Sequence, residues 1–138
     1  MDDLPNLADF PARTTEILRF GDTDALGHVN NAVFATMYEG GRIGALSAVP
    51  QHPGCSVVIV RLVIDFRGEL LWPGTVEVGT RLTKIGTSSL TFTQALFQKG
   101  RCVSTSESVL VYFDMQTRKA MPLSEDVRAV LRRLAPEA

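Results

Sequence analysis

Ten consecutive residues of this sequence, 22–31, concentrate groups that can move a proton or hold negative charge. Asp22, Asp24, His28, Asn30 and Asn31 lie in the run Arg19-Phe20-Gly21-Asp22-Thr23-Asp24-Ala25-Leu26-Gly27-His28-Val29-Asn30-Asn31. A carboxylate can attack a carbonyl carbon as a nucleophile or take a proton from water as a general base. The amide N–H groups at the start of a helix, with its positive dipole end, can hold the oxyanion that results. The spacing allows both parts. Asn30 is a suitable N-cap, because its side-chain oxygen can accept a free backbone N–H. The competing reading is an Asp/Asn/Gly-rich turn whose side chains only satisfy its own backbone. On the residues alone, both readings stand.

The elements that would position this cluster flank it directly. Residues 14–20 read as a strand, and residues 32–49 read as a helix with Val33, Phe34, Met37, Tyr38, Ile43, Leu46 and Val49 at helical spacing. The cluster is thus a strand-to-helix connection, where irregular polar backbone sits on a rigid frame. Gly40, Gly41 and Gly44 interrupt the helix. Interior glycine costs about 1 kcal/mol against alanine, so three imply close packing against a sheet or room for a ligand.

At these residues the sequence resembles a known family. Asp22-Thr23-Asp24-Ala25-Leu26-Gly27-His28-Val29-Asn30-Asn31 resembles the signature of hotdog-fold acyl-CoA thioesterases of the 4-hydroxybenzoyl-CoA thioesterase type. The His28-Val29-Asn30-Asn31 part is also similar to the plant acyl-ACP thioesterases. The resemblance covers residues 14–134, strongest in the loop and helix. It implies that Asp24 stands at the catalytic carboxylate position. It also implies that the Asn31 backbone N–H polarises the thioester carbonyl, and that His28 matches the histidine of the acyl-ACP enzymes. Leu26 stands where those enzymes carry a catalytic asparagine, so their residue set does not carry over in full. Glu39 falls on a stretch of helix that the family sets against the partner's active-site loop. A Glu39–Arg42 helix pair at i, i+3 is the competing reading, and the one favoured here. Asp22 reads as a structural or solvated partner of the loop.

The rest of the chain supplies a sheet. Residues 56–66 are nearly continuous Val, Ile and Leu and read as a central strand covered on both faces. Residues 75–85, 88–99 and 102–113 alternate as strands, and Ser124 is the expected N-cap of a terminal helix. Residues 1–13, with Pro5 and Pro11, read as a loosely structured arm. One helix followed by a run of strands indicates an α+β antiparallel sheet wrapped around one long central helix, in a single domain over residues 1–138. That is also the hotdog fold the resemblance implies. Such a sheet has edges to cover. The family's site lies between two subunits, so a homodimer or a dimer of dimers is expected.

Composition excludes other classes. With 138 residues, 45% hydrophobic and 21% charged, the chain can bury a sizeable core. A net charge of −1 gives no reason to expect nucleic acid as partner. No apolar run approaches the ~20 residues that span a bilayer. The N-terminus lacks the blocks of a signal peptide, so a cytoplasmic location is expected. Cys55 and Cys102 read as free thiols, and no metal-ligand spacing is visible. No cofactor is expected, coenzyme A being part of the substrate.

The expected activity is hydrolysis of an acyl-CoA thioester to free acid and CoA, without metal. Two alternatives are a hotdog protein that binds acyl thioesters without turnover, and a hydratase or dehydratase pairing His28 with Glu39. The weaker substrate-binding candidates are Asn30, Glu39, Arg61 and Ser88. Arg67, Lys84 and Arg101 also qualify for CoA phosphates by residue type.

Overall fold

The computed structural model describes residues 3–135. Five main strands and one long helix form the frame: β1 (Ala12–Ile17), α1 (Asn31–Ala45), β2 (Cys55–Phe66), β3 (Thr75–Ile85), β4 (Ser89–Gln98) and β5 (Arg101–Asp114). A two-residue strand β6 (Lys119–Ala120) and a short helix α2 (Glu125–Leu131) follow. All pairings are antiparallel, in the order β1-β3-β4-β5-β2, with β6 paired to β5.

The sheet curls around α1, as expected. Phe34, Met37 and Tyr38 of α1 pack with Val76, Val78, Leu96 and Val103 of the sheet. The helix glycines explain how close that approach is. A Cβ on Gly41 would stand 2.5 Å from Val78 Cγ1 and 2.9 Å from Gln94 Nε2. One on Gly44 would stand 2.5 Å from Thr14 Cγ2. The helix ends at Ala45 rather than Val49, where the Ser47 hydroxyl donates to the Gly44 carbonyl at 2.8 Å. A second cluster closes the far end, where Val127 and Leu131 of α2 meet Leu82, Leu90, Phe92 and Tyr112.

Three further expectations differ from the structure. β2 is an edge strand, not a central one: β5 pairs with one side and none of the described strands with the other. Its apolar residues Ile59, Val60, Leu62, Val63 and Phe66 are exposed. A continuous apolar run shows that both faces suit cover, but not whether this chain provides it. The N-terminal arm, whose first two residues lie outside the described ones, is not loose from Leu7 onward. Leu7–Asp9 forms a helical turn, and Phe10 is buried edge-to-face on Phe97, centroids 6.1 Å apart. Ser124 does precede α2, but its hydroxyl donates to Asp126 Oδ1 at 2.6 Å instead of accepting a helix amide.

Candidate active site

The connection between β1 and α1 is shaped by Asp22, which is buried. Its Oδ2 accepts the Arg19 backbone N–H at 2.8 Å, and its Oδ1 accepts Arg19 Nη2 at 3.0 Å. Its own carbonyl accepts the Asn30 N–H at 2.8 Å. The Arg19 backbone N–H, aided by the guanidinium and opposed by burial, holds the Asp22 carboxyl below the usual carboxylate range. Asp22 is therefore the clasp of the loop, as its reading as a structural partner anticipates.

Inside that clasp, Thr23 and Val29 form a bridge, and Asp24 N–H donates to the His28 carbonyl at 2.8 Å. Gly27 turns the chain at φ 86, a region where only glycine is free of strain. The Asp24 Oδ1 accepts the Leu26 N–H at 2.8 Å and the His28 N–H at 3.3 Å. Its Oδ2 has no hydrogen-bond donor among the described residues. So one oxygen orders the loop, as the turn reading requires, while the other stays available.

The helix start follows at once. Asn30 caps α1, its Oδ1 accepting the Ala32 N–H at 2.9 Å. Val33 N–H goes to the Asn30 carbonyl at 2.9 Å. The Asn31 N–H is left without an acceptor among the described residues, at the positive end of a 15-residue helix. Asn30 and Asn31 are exposed.

His28 does not direct its ring at Asp24. Its Nε2 lies 3.3 Å from Glu69 Oε1, and its backbone bridges Leu71. Glu69 is thus a group at the site that the sequence does not reveal. It lies 41 positions from His28, and only the fold brings the segment after β2 against the loop. Val29 N–H to the Leu70 carbonyl at 3.0 Å fixes that approach.

The other candidates lie apart. Glu39 is exposed on α1, and Arg42 turns inward, its Nη1 on Gln94 Oε1 at 3.2 Å. The favoured Glu39–Arg42 ion pair does not form within 4.0 Å, although the Glu39 charge partly offsets the burial that pulls Arg42 down. Arg61 pairs with Glu107 at 2.6 Å across β2 and β5. Ser88 sits in the β3–β4 turn, its carbonyl accepting Tyr112 N–H, near α2 and away from the loop. Arg101, on the β4–β5 hairpin, donates from Nη2 to the Glu69 carbonyl at 3.2 Å. Among the described residues, no three His, Cys, Asp or Glu side chains group to hold a metal ion. No described helix is long and apolar enough to cross a membrane.

A sheet curled on one helix, with a polar loop at that helix's start, invites comparison with known proteins. The family model of the thioesterase-like superfamily matches residues 18–131, from the end of β1 through α2. The chain belongs to the thioesterase-like superfamily. Among solved structures, a thioesterase from Thermus thermophilus, complexed with coenzyme A and Zn, is 31% identical. That alignment covers 94% of this chain and 97% of that one, with a TM-score of 0.84. A predicted thioesterase from Bacillus stearothermophilus is 28% identical over 90% and 96% of the two chains, TM-score 0.83. The DHNA-CoA thioesterase of Staphylococcus aureus, 19% identical over 88% and 87% with a TM-score of 0.79, shares the fold. No protein with a curated description matches the sequence. The fold of this thioesterase-like protein is the hotdog fold.

Proposed function

We propose that this thioesterase-like protein hydrolyses an acyl-CoA thioester to the free acid and CoA. The observation that carries the reading is the pairing of Asp24, one oxygen anchored and one available, with a helix start whose Asn31 N–H has no acceptor among the described residues. In this reading the thioester carbonyl oxygen meets the Asn31 N–H, which holds the developing oxyanion. The free oxygen of Asp24 attacks the carbonyl carbon to give a mixed anhydride, or takes a proton from an attacking water. Either way the CoA thiolate leaves; on the first route water then hydrolyses the anhydride to the free acid and restores the Asp24 carboxylate, and neither route needs a metal. The Glu69 carboxylate orients the His28 ring beside the loop. The family match and the Thermus thioesterase with coenzyme A support a CoA thioester as substrate.

The reading includes assembly. Exposed apolar β2, with an open edge, suits a second copy of the chain, so the active form is a homodimer or a dimer of dimers. A monomer at micromolar concentration by light scattering would overturn that. The function itself is tested with a panel of acyl-CoAs of differing length and aromaticity, followed by a thiol-detecting reagent. Release of CoA from at least one member is expected; binding without release from any would make the protein a non-catalytic acyl-thioester binder.

A further inference from the structure

The β4–β5 hairpin closes beside the Asp24 loop on a cavity. It measures about 390 Å³ and is lined by Leu71, Pro73, Gln98, Lys99 and Arg101. Its position is fixed from two sides. Leu71 bridges His28. The Gln98 side-chain amide accepts the Leu71 N–H at 3.0 Å and donates to the Leu71 carbonyl at 2.7 Å. One wall of the cavity is therefore the residue that pairs with the candidate active-site loop.

Its charge is one-sided, because no carboxylate lines it. Among the described residues Arg101 bonds only to the Glu69 backbone carbonyl, which orders the guanidinium without neutralising it. Lys99 has no hydrogen bond or ion pair among the described residues. Of the nearby acids, Glu69 faces His28, and Glu77, which lines an adjoining cavity with Lys99, accepts the Thr15 hydroxyl at 2.6 Å and makes no ion pair with Lys99 within 4.0 Å. Lys99 occupies φ 52 and Gly100 φ 77, between the paired residues Gln98 and Arg101. Such a two-residue turn favours Asn or Gly at its first position. Lysine there costs backbone energy that no hydrogen bond or ion pair of its side chain among the described residues repays. Trp72, between the lining residues Leu71 and Pro73 in the chain, meets Phe20 edge-to-face at 5.2 Å, and the two are 40% and 72% exposed.

We propose that this cavity receives the nucleotide end of coenzyme A, with Lys99 and Arg101 on its phosphates and Trp72 beside them as a surface for adenine. The inference rests on the acyl-CoA reading above and decides between CoA and a carrier protein as the thioester's handle. Two cations in a concavity, neither with an ion pair among the described residues, suit phosphate oxygens, the guanidinium by paired donors and the ammonium as a point charge. An exposed aromatic pair suits a base, since every base has a face to stack. A carrier protein would present one phosphate on a broad surface, whereas a cavity this size accepts a small ligand. Arg61, the sequence candidate for the same task, is neutralised by Glu107.

Calorimetric titration with coenzyme A alone tests the subsite without relying on turnover. Lys99→Asn, which suits the turn, and Arg101→Gln should each weaken CoA binding by about tenfold, the loss of one charge-assisted hydrogen bond. Both variants should melt near wild type. CoA bound equally by wild type and both variants would overturn the assignment. The ratio of kcat/KM for an acyl-CoA over the same acyl-pantetheine gives a second readout. It should exceed about ten in the wild type and fall toward one in the variants. A wild-type ratio near one, or turnover of an acyl-carrier protein with no CoA binding, overturns the subsite and leaves thioester hydrolysis standing. Weakened CoA binding in the variants, with no turnover of any thioester, supports the subsite and removes the hydrolase reading.

Discussion

Each end of α1 holds a histidine beside a carboxylate, and the shorter contact is at the end without the candidate chemistry. His52 Nε2 lies 2.9 Å from Asp126 Oδ2 near the helix's C-terminal end, while His28 Nε2 lies 3.3 Å from Glu69 Oε1 near its start. The surroundings differ in kind. Beyond the C-terminal end lies an apolar cavity of about 210 Å³, lined by Leu46, Val49, His52, Cys55, Tyr112 and Leu123 among others. The helix there ends in carbonyls, which repel a developing oxyanion. At the start, an amide without an acceptor among the described residues and a second carboxylate, Asp24, stand together. A His–acid contact is therefore a weak marker of a site. The polarity of the helix end and the group left available decide more.

The sharpest way to break that comparison is Asp24→Asn set against Asp126→Asn. Asparagine keeps an oxygen for the Leu26 and His28 amides, so the loop survives, but the charge that attacks or takes the proton is gone. Acyl-CoA turnover should fall by about 10² or more in Asp24→Asn, within the range for a positioned acid–base group. Asp126→Asn should leave turnover close to wild type. Equal activity in both, with the fold intact by circular dichroism, would remove the distinction between the two ends.

The frame common to both ends comes next. Gly41→Leu must displace Val78, Gln94 or Thr80 and should destabilise by about 1–3 kcal/mol in chemical denaturation. Gly40→Leu meets the flexible Glu16 carboxylate and should cost less. A wild-type melt for Gly41→Leu would show that the helix can lift from the sheet.

A smaller effect is expected at the histidines. If the Glu69 carboxylate orients His28, Glu69→Gln should lower kcat several-fold and alter the pH–rate profile. Asp126→Asn, which removes the acid from His52, should leave the pH–rate profile alone. Matching profiles in wild type and Glu69→Gln would make the His28–Glu69 contact merely structural.

The smallest effect separates two lowered carboxyls by acid sensitivity. Asp22 is held below its ordinary 3.8 by Arg19. Asp126 is held below its ordinary 3.8 first by the Ser124 hydroxyl, then by the Val127 N–H and His52. A carboxyl lowered in the folded state stabilises above its unfolded value, and that contribution is lost as pH falls through the folded value. Thermal melts from pH 6 down to about pH 3 should therefore lose less stability in Asp22→Asn than in wild type. Asp126→Asn should show a weaker change, because that pair is open to solvent and screened. A wild-type acid slope in Asp22→Asn would mean the clasp draws nothing from its charge.

Much of this contrast was legible in the residues themselves. Helical spacing placed α1, and Asn30 marked its start, because an amide–side-chain cap is a local interaction. The alternation of β3, β4 and β5 follows from side chains facing opposite sides of a strand, which is also local. The helix glycines pointed to close packing or room for a ligand, and at Gly41 and Gly44 the sheet side chains take the space a Cβ would need. What lay beyond reach depended on distant pairing. No spacing rule links His28 to Glu69, or Leu71 to Gln98, since each contact forms only after β2 and the hairpin fold back on the loop. The apolar run of β2 reads alike at the centre or edge of a sheet, and only the strand order places it at the edge. Arg42 has a charged neighbour at i−3, yet burial beside Gln94 gives it a better-defined partner than a solvent-screened ion pair. Local patterning specifies the polar loop, the helix that starts there and the strands that carry it. Which end of that helix offers an available amide beside an available carboxylate depends on contacts made across the sheet, and so on the folded chain.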